Sequence, residues 1–161
     1  MPIPAPPCGE VTASTAVVAL FRQLHDELRA LIESLDASGL NFVPCVGANS
    51  IATIVTHVVG SEAETLRCVA GIASVRDRDA EFRRGHQAVA DVLAQLDSAD
   101  ELLDALAPAL TAERLVTVVT LPTLPANETR PGITWLIGNL GHAREHVGHA
   151  FLTQQLYAAQ S

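Results

Sequence analysis

"HAREHVGHAFLTQQLY", residues 142–157, carries three of the chain's six histidines in a stretch with the composition of a helix. Successive helical residues turn by about 100°, so His142, His146 and His149 fall within a common arc of about 60°. Pro131 upstream suits the first turn of this helix, which is then expected to run to about Tyr157. Three imidazoles on one face make a metal site, a hydrolase motif or a solvated stripe. The choice depends on what the rest of the chain folds beside them.

Outward from that helix, the remaining segments read as helices and connections. In residues 12–36, Val17, Leu20, Phe21, Leu24, Leu28, Leu31 and Leu35 recur at spacings of three and four and form one apolar stripe. "ASGLNFVPCVGANS" (37–50) breaks the period and is expected as a loop, with Asn49 or Ser50 capping a second helix to about Gly71. That helix holds Ile51, Ile54, Val55, Val58 and Leu66. "IASVRDRDAEFRRGHQ" (72–87) is charged and expected to be irregular. "AVADVLAQLD" (88–97) reads as a short helix, and Ser98 with Glu101 as a capping box that starts another. "RLVTVVTLPTLP" (114–125) is β-branched and closed by prolines, so an extended connection or small hairpin is expected, with a short extended segment near 115–121. The reading is an all-α fold: a four-helix bundle with two long connections, one domain over 12–161. Residues 1–11 are expected as a mobile, proline-stiffened tail.

Composition narrows the function. The chain has 161 residues, 48% of them apolar, enough for one domain with a real core. Eighteen acidic residues face ten basic ones, all arginine, and the net charge of −8 disfavours nucleic-acid binding. No apolar run approaches the roughly 18 residues of a membrane-spanning helix. Cys8, Cys45 and Cys68 stand at wide, irregular spacings, and "MPIPAPPCGE" has neither the basic nor the apolar region of a signal peptide. Reduced thiols and a cytoplasmic location are expected.

A histidine pair at i and i+4, about 6 Å apart, can converge on one ion with metal–nitrogen bonds near 2.1 Å. His142 and His146 form such a pair. His149 lies about 10 Å along the axis from His142, awkward for joining the same ion. A third ligand should come from elsewhere, and His25, His57 and His86 compete for the place. His57 is favoured, because it is embedded among Ile54, Val55, Val58 and Val59, where an imidazole must find a partner or bind something. His25 stands at the edge of the first helix's stripe and His86 in a connection. Three neutral histidines with an open position would make a site able to activate water or a thiol.

"HAREH" also fits the H-x-x-E-H pattern of a class of zinc peptidases, with Glu145 as base. Those enzymes need a further acidic ligand downstream, and residues 146–161 contain no acid. No G-x-S-x-G elbow and no phosphate-binding glycine loop occurs. Paired acids such as Asp100 with Glu101, or Glu62 with Glu64, read as solvated helix faces.

With "SIATIVTHVVGSEAETLR" (50–67) and "HAREHVGHAFLTQQLY" in hand, the chain resembles the DinB/YfiT-like superfamily of four-helix bundles with long crossover connections. The resemblance implies His57, His142 and His146 as a metal triad for zinc, nickel or iron. Similar members include bacillithiol S-transferases, mycothiol-dependent maleylpyruvate isomerase and the iron-binding domain of sulfoxide synthases. The last carry H-x-x-x-H-x-E, whereas this chain has Gly148 in place of the glutamate. The resemblance thus implies a metal-dependent enzyme using a low-molecular-weight thiol, such as mycothiol or bacillithiol, on a small-molecule substrate. Trp135 and Asn139 would line the pocket, His149 would be a possible catalytic neighbour, and the protein would be a homodimer. The opposing reading is a non-catalytic metal-binding or dimerising helical protein.

Overall fold

The computed structural model of the chain describes residues 12–160. The tail expected over residues 1–11, Cys8 and Ser161 lie outside the described residues. Four long helices dominate: α1 (Ala13–Glu33), α3 (Ile51–Ala70), α5 (Val89–Leu106) and α7 (Gly132–Ala158). Between them stand three short ones, α2 (Ala37–Asn41), α4 (Arg78–Arg83) and α6 (Ala112–Val116), and one two-stranded hairpin. Both α1 and α3 pack chiefly on α5 and α7, so they occupy opposite corners of the bundle. The chain must therefore cross the bundle between α1 and α3 and again between α5 and α7. Among the described residues no helix is long and apolar enough to span a membrane.

Local chemistry accounts for the ends of the long helices. Thr12 caps α1 through a reciprocal box with Thr15, and Ser50 caps α3 by accepting from the Thr53 amide. The last turn of α3 closes on Gly71 at φ 81°, a left-handed conformation that glycine adopts without a Cβ penalty. Along α1 the stripe Val17, Phe21, Leu24, Leu28 and Leu31 is buried as expected, while Leu20 is left half exposed at its margin. Each fully buried leucine contributes roughly 2 kcal/mol from the area it withdraws from water.

Five local expectations require correction. No helix begins at Ser98: α5 runs unbroken, because Val92, Leu96, Ala99, Leu103 and Leu106 form one buried stripe. The Ser98 hydroxyl donates back to the Ala94 carbonyl (2.9 Å) instead of capping. Within the expected loop 37–50, Asp36 accepts from the Gly39 amide and starts α2. In the expected irregular stretch 72–87, Asp77 does the same for α4 by accepting from Ala80. Of the extended segment near 115–121, residues 115–116 belong to α6, capped by Thr111. The extended part is β1 (Val118–Thr120), which pairs antiparallel with β2 (Thr129–Pro131), Val119 opposite Arg130. Pro131 thus ends a strand and immediately precedes α7 rather than lying in its first turn.

Candidate metal centre

On α7 the buried stripe runs through Leu136, Asn139, Ala143, Val147 and Ala150. His142 and His146 each precede a buried residue of that stripe, about 100° round the helix, and are partly buried facing α3. His57 projects from mid-α3, only 5% exposed, to meet them. The ligand nitrogens of His57, His142 and His146 all lie within 4.8 Å of one another, a geometry able to hold a metal ion. The rings stand nearly perpendicular, with centroids 4.4 Å apart for His142–His146 and 5.0 and 5.2 Å for their contacts with His57.

Protonation favours metal binding. Burial pushes His57 and His142 below the ordinary histidine value, and the Arg76 guanidinium pushes the same way on both. Burial and then the neighbouring imidazoles take His146 down to about 4. All three are therefore neutral at pH 7, with lone pairs available.

A layer of charged groups orients His57. Its Nδ1 lies 3.0 Å from Glu81 Oε2 and donates to it. Arg76 grips the same carboxylate with both Nε (2.7 Å) and Nη2 (2.8 Å) and reaches Glu64 with Nη1 (3.2 Å). Glu64 accepts in turn from the Thr123 amide and hydroxyl in the connection after β1. A proton held on Nδ1 by Glu81 leaves the Nε2 lone pair to point at the cluster, where it meets His142 Nε2 at 3.1 Å. Two lone pairs at that distance repel unless a proton or a cation lies between them. Nitrogens sharing one tetrahedral ion at about 2.1 Å stand roughly 3.4 Å apart, close to what is found. His146 Nδ1 is buried without a partner, a further sign of a group meant to coordinate. The donor set fits a borderline transition ion such as zinc, nickel or iron, and the carboxylate behind a ligating histidine is the usual supporting arrangement.

The other residues singled out from sequence separate clearly. Trp135 and Asn139 line a pocket of about 520 Å³ together with His57 and His142. Trp135 is anchored by donating to the Val119 carbonyl (2.9 Å), and Asn139 donates to Ser61 Oγ (2.8 Å). His149 is exposed, with its ring centroid 5.6 Å from that of His146, outside the three-nitrogen group. His86 is exposed in the connection before α5. His25 is fully buried outside the three-nitrogen group, bonded to Glu62 and Asp100. A larger cavity, about 770 Å³, lies between α3, α4 and α5 without any histidine, and it meets the site at Gly60 and Glu81.

Sequence reasoning missed Arg76, Glu81 and Glu64, and the solvated-face reading of Glu62 and Glu64 is wrong. Both glutamates are 1% exposed, because each is paired with a cation or imidazole from another segment. One signal was present. Glu64 follows His57 by seven residues, on the same face of α3, and Gly60 between them has no side chain. A Cβ at Gly60 would lie 2.2 Å from Glu81 Oε1, so the glycine makes the room that the carboxylate occupies.

Comparison with known proteins agrees with this architecture. Among curated proteins none matches the chain in sequence. In structure it is similar to the crystal structure of a DinB-like protein, YjoA, from Bacillus subtilis. The TM-score is 0.68 at 16% identity, over 89% of this chain and 92% of that one. The sequence family described as the DinB superfamily matches residues 20–150, and the chain belongs to it.

Proposed function

We propose that this protein is a metal-dependent enzyme of the low-molecular-weight-thiol S-transferase or isomerase type, with His57, His142 and His146 as ligands. The observation that carries the reading is the convergence of three neutral imidazoles, two of which, His57 and His142, line a pocket large enough for a small molecule. A purely structural site would be closed by a fourth protein ligand. Among the described residues no fourth histidine, cysteine or acid joins the group.

A bound zinc, nickel or iron ion would lower the pKa of a thiol such as mycothiol or bacillithiol, so that it persists as the thiolate nucleophile at neutral pH. The chain's own residues do the rest. Glu81, clamped by Arg76, holds the proton on His57 Nδ1 and keeps the ring aimed at the cluster. Trp135, Leu121 and Leu124 supply apolar wall that excludes water from one side of the pocket. Asn139 and Ser61 offer polar atoms for orienting a substrate beside His142.

Elemental analysis of protein purified without an affinity tag should find about one transition metal per chain, lost in His57→Ala and in His146→Ala. Metal-free wild type that takes up none on reconstitution removes the triad. Holo-protein incubated with a panel of thiols and an electrophile should then form conjugate only when metal is present. A loaded protein that conjugates no thiol favours the non-catalytic metal-binding alternative.

A further inference from the structure

The pocket beside the triad has a cationic rim, although the chain as a whole carries a net charge of −8. Arg76, Arg78 and Arg130 all line it, and Glu128 is the one acid among its lining residues. Arg76 is committed to Glu81 and Glu64. The other two are not committed in this way. Arg78 is exposed, stacks on Phe82 (5.2 Å to the ring centroid) and has no acidic partner among the described residues. Arg130 lies over the Trp135 ring at 4.6 Å and touches Glu128 only at 3.5 Å, with both charged side chains nearly half exposed. Stacking on an aromatic face holds a guanidinium plane while leaving its N–H edges free. A planar fork of donors at a pocket rim matches a carboxylate.

Elsewhere in the lining of the same pocket the chemistry changes. Leu121, Leu124 and Trp135 are apolar. Asn139 is only 8% exposed, yet its Oδ1 has no partner while Nδ2 bonds Ser61. Because a hydroxyl can donate or accept, turning the amide over would only exchange which of its two polar atoms is left alone. A buried polar atom without a partner costs stability unless a ligand completes it.

We propose that this pocket binds an organic carboxylate. Arg78 and Arg130 hold the carboxylate at the rim, Leu121, Leu124 and Trp135 cover an apolar body, and the free amide atom of Asn139 bonds one polar group of the ligand. That the inner end of such a ligand reacts at a metal rests on the proposed function above; the arginine subsite itself does not.

Trp135 is the chain's one tryptophan, so its fluorescence reports on this pocket directly. Metal-free and zinc-loaded protein would be titrated with 3-phenylpropanoate and, as the uncharged match, 3-phenylpropanamide. The acid is expected to bind at least about tenfold more tightly than the amide in both forms, as befits charge-assisted hydrogen bonds. Arg78→Gln, which leaves Arg130 on the Trp135 ring and the readout intact, should weaken acid binding about tenfold with the melting temperature unchanged. Arg78→Gln with Arg130→Gln should abolish the preference, measured by equilibrium dialysis. Equal affinity for acid and amide, a preference that survives in the double variant, or no binding of either at millimolar concentration overturns the proposal. A preference seen only after zinc loading places the carboxylate on the ion, which also overturns it but upholds the metal centre. A preference retained by protein that takes up no zinc upholds the subsite while the metal-centre reading fails.

Discussion

At the scale of single residues, the site depends on one missing side chain. Gly60 sits mid-helix, where glycine costs roughly 1 kcal/mol relative to alanine. Its place is explained by Glu81, whose carboxylate occupies the space a Cβ would need. Gly60→Ala should therefore push the carboxylate away from His57 and disturb its buried clamp by Arg76, so that the melting temperature falls despite the gain in helix propensity. Metal affinity is expected to fall about tenfold to a hundredfold, the usual effect of losing the group behind a ligating histidine. Competition with a chelator of known affinity, beside a thermal melt, measures both. Equal metal affinity in the variant would mean that Glu81 does not orient His57.

Between elements, the buried charges form struts. His25 on α1 bonds Glu62 on α3 through Nε2 and Asp100 on α5 through Nδ1, each at 2.8 Å. Arg29, one turn along α1, adds Asp97 and Asp100 on α5. Burial alone pushes the His25 pKa down, but the bonds and charges of Glu62 and Asp100 outweigh it and raise it above 6.5. Folding thus favours the imidazolium. Its contribution is complete below the unfolded-state value near 6.5 and is lost as pH rises through the higher folded-state value. Thermal melts between pH 6 and 9 should show wild type losing stability across that window. His25→Gln should be less stable at pH 6 and flatter with pH; a variant with the wild-type slope would assign the effect to another group.

For the whole molecule, large apolar side chains remain at the surface of the two neighbouring helices α1 and α7. Leu20, Ile137 and Leu152 are 47%, 59% and 54% exposed. The homodimer implied by the family resemblance is expected to cover them. Analytical ultracentrifugation should give a two-chain mass for wild type and a one-chain mass for Ile137→Glu with Leu152→Glu, whose far-UV circular dichroism should be unchanged. A monomeric wild type ends that expectation.

The sequence by itself determined three of the four long helices, α1, α3 and α7, and the histidine candidates for the metal centre. Both are written in short-range spacing: apolar residues at three and four for the stripes of α1 and α3, and H-x-x-x-H for His142 and His146. A lone histidine amid an apolar run in α3 pointed to His57. Only the tertiary structure decided which charges are buried. Glu64, Glu62 and Glu81 look in sequence like any helix-surface acids, and their partners come from Arg76, His25 and His57 in other segments or elements. The same holds for α5, where Ser98 fits a helix start locally but a continuous buried stripe carries the helix through it. The physical reason is common to both. Periodicity is a property of neighbours along one helix, whereas the cost of burying a charge or ending a helix depends on what another part of the chain brings alongside.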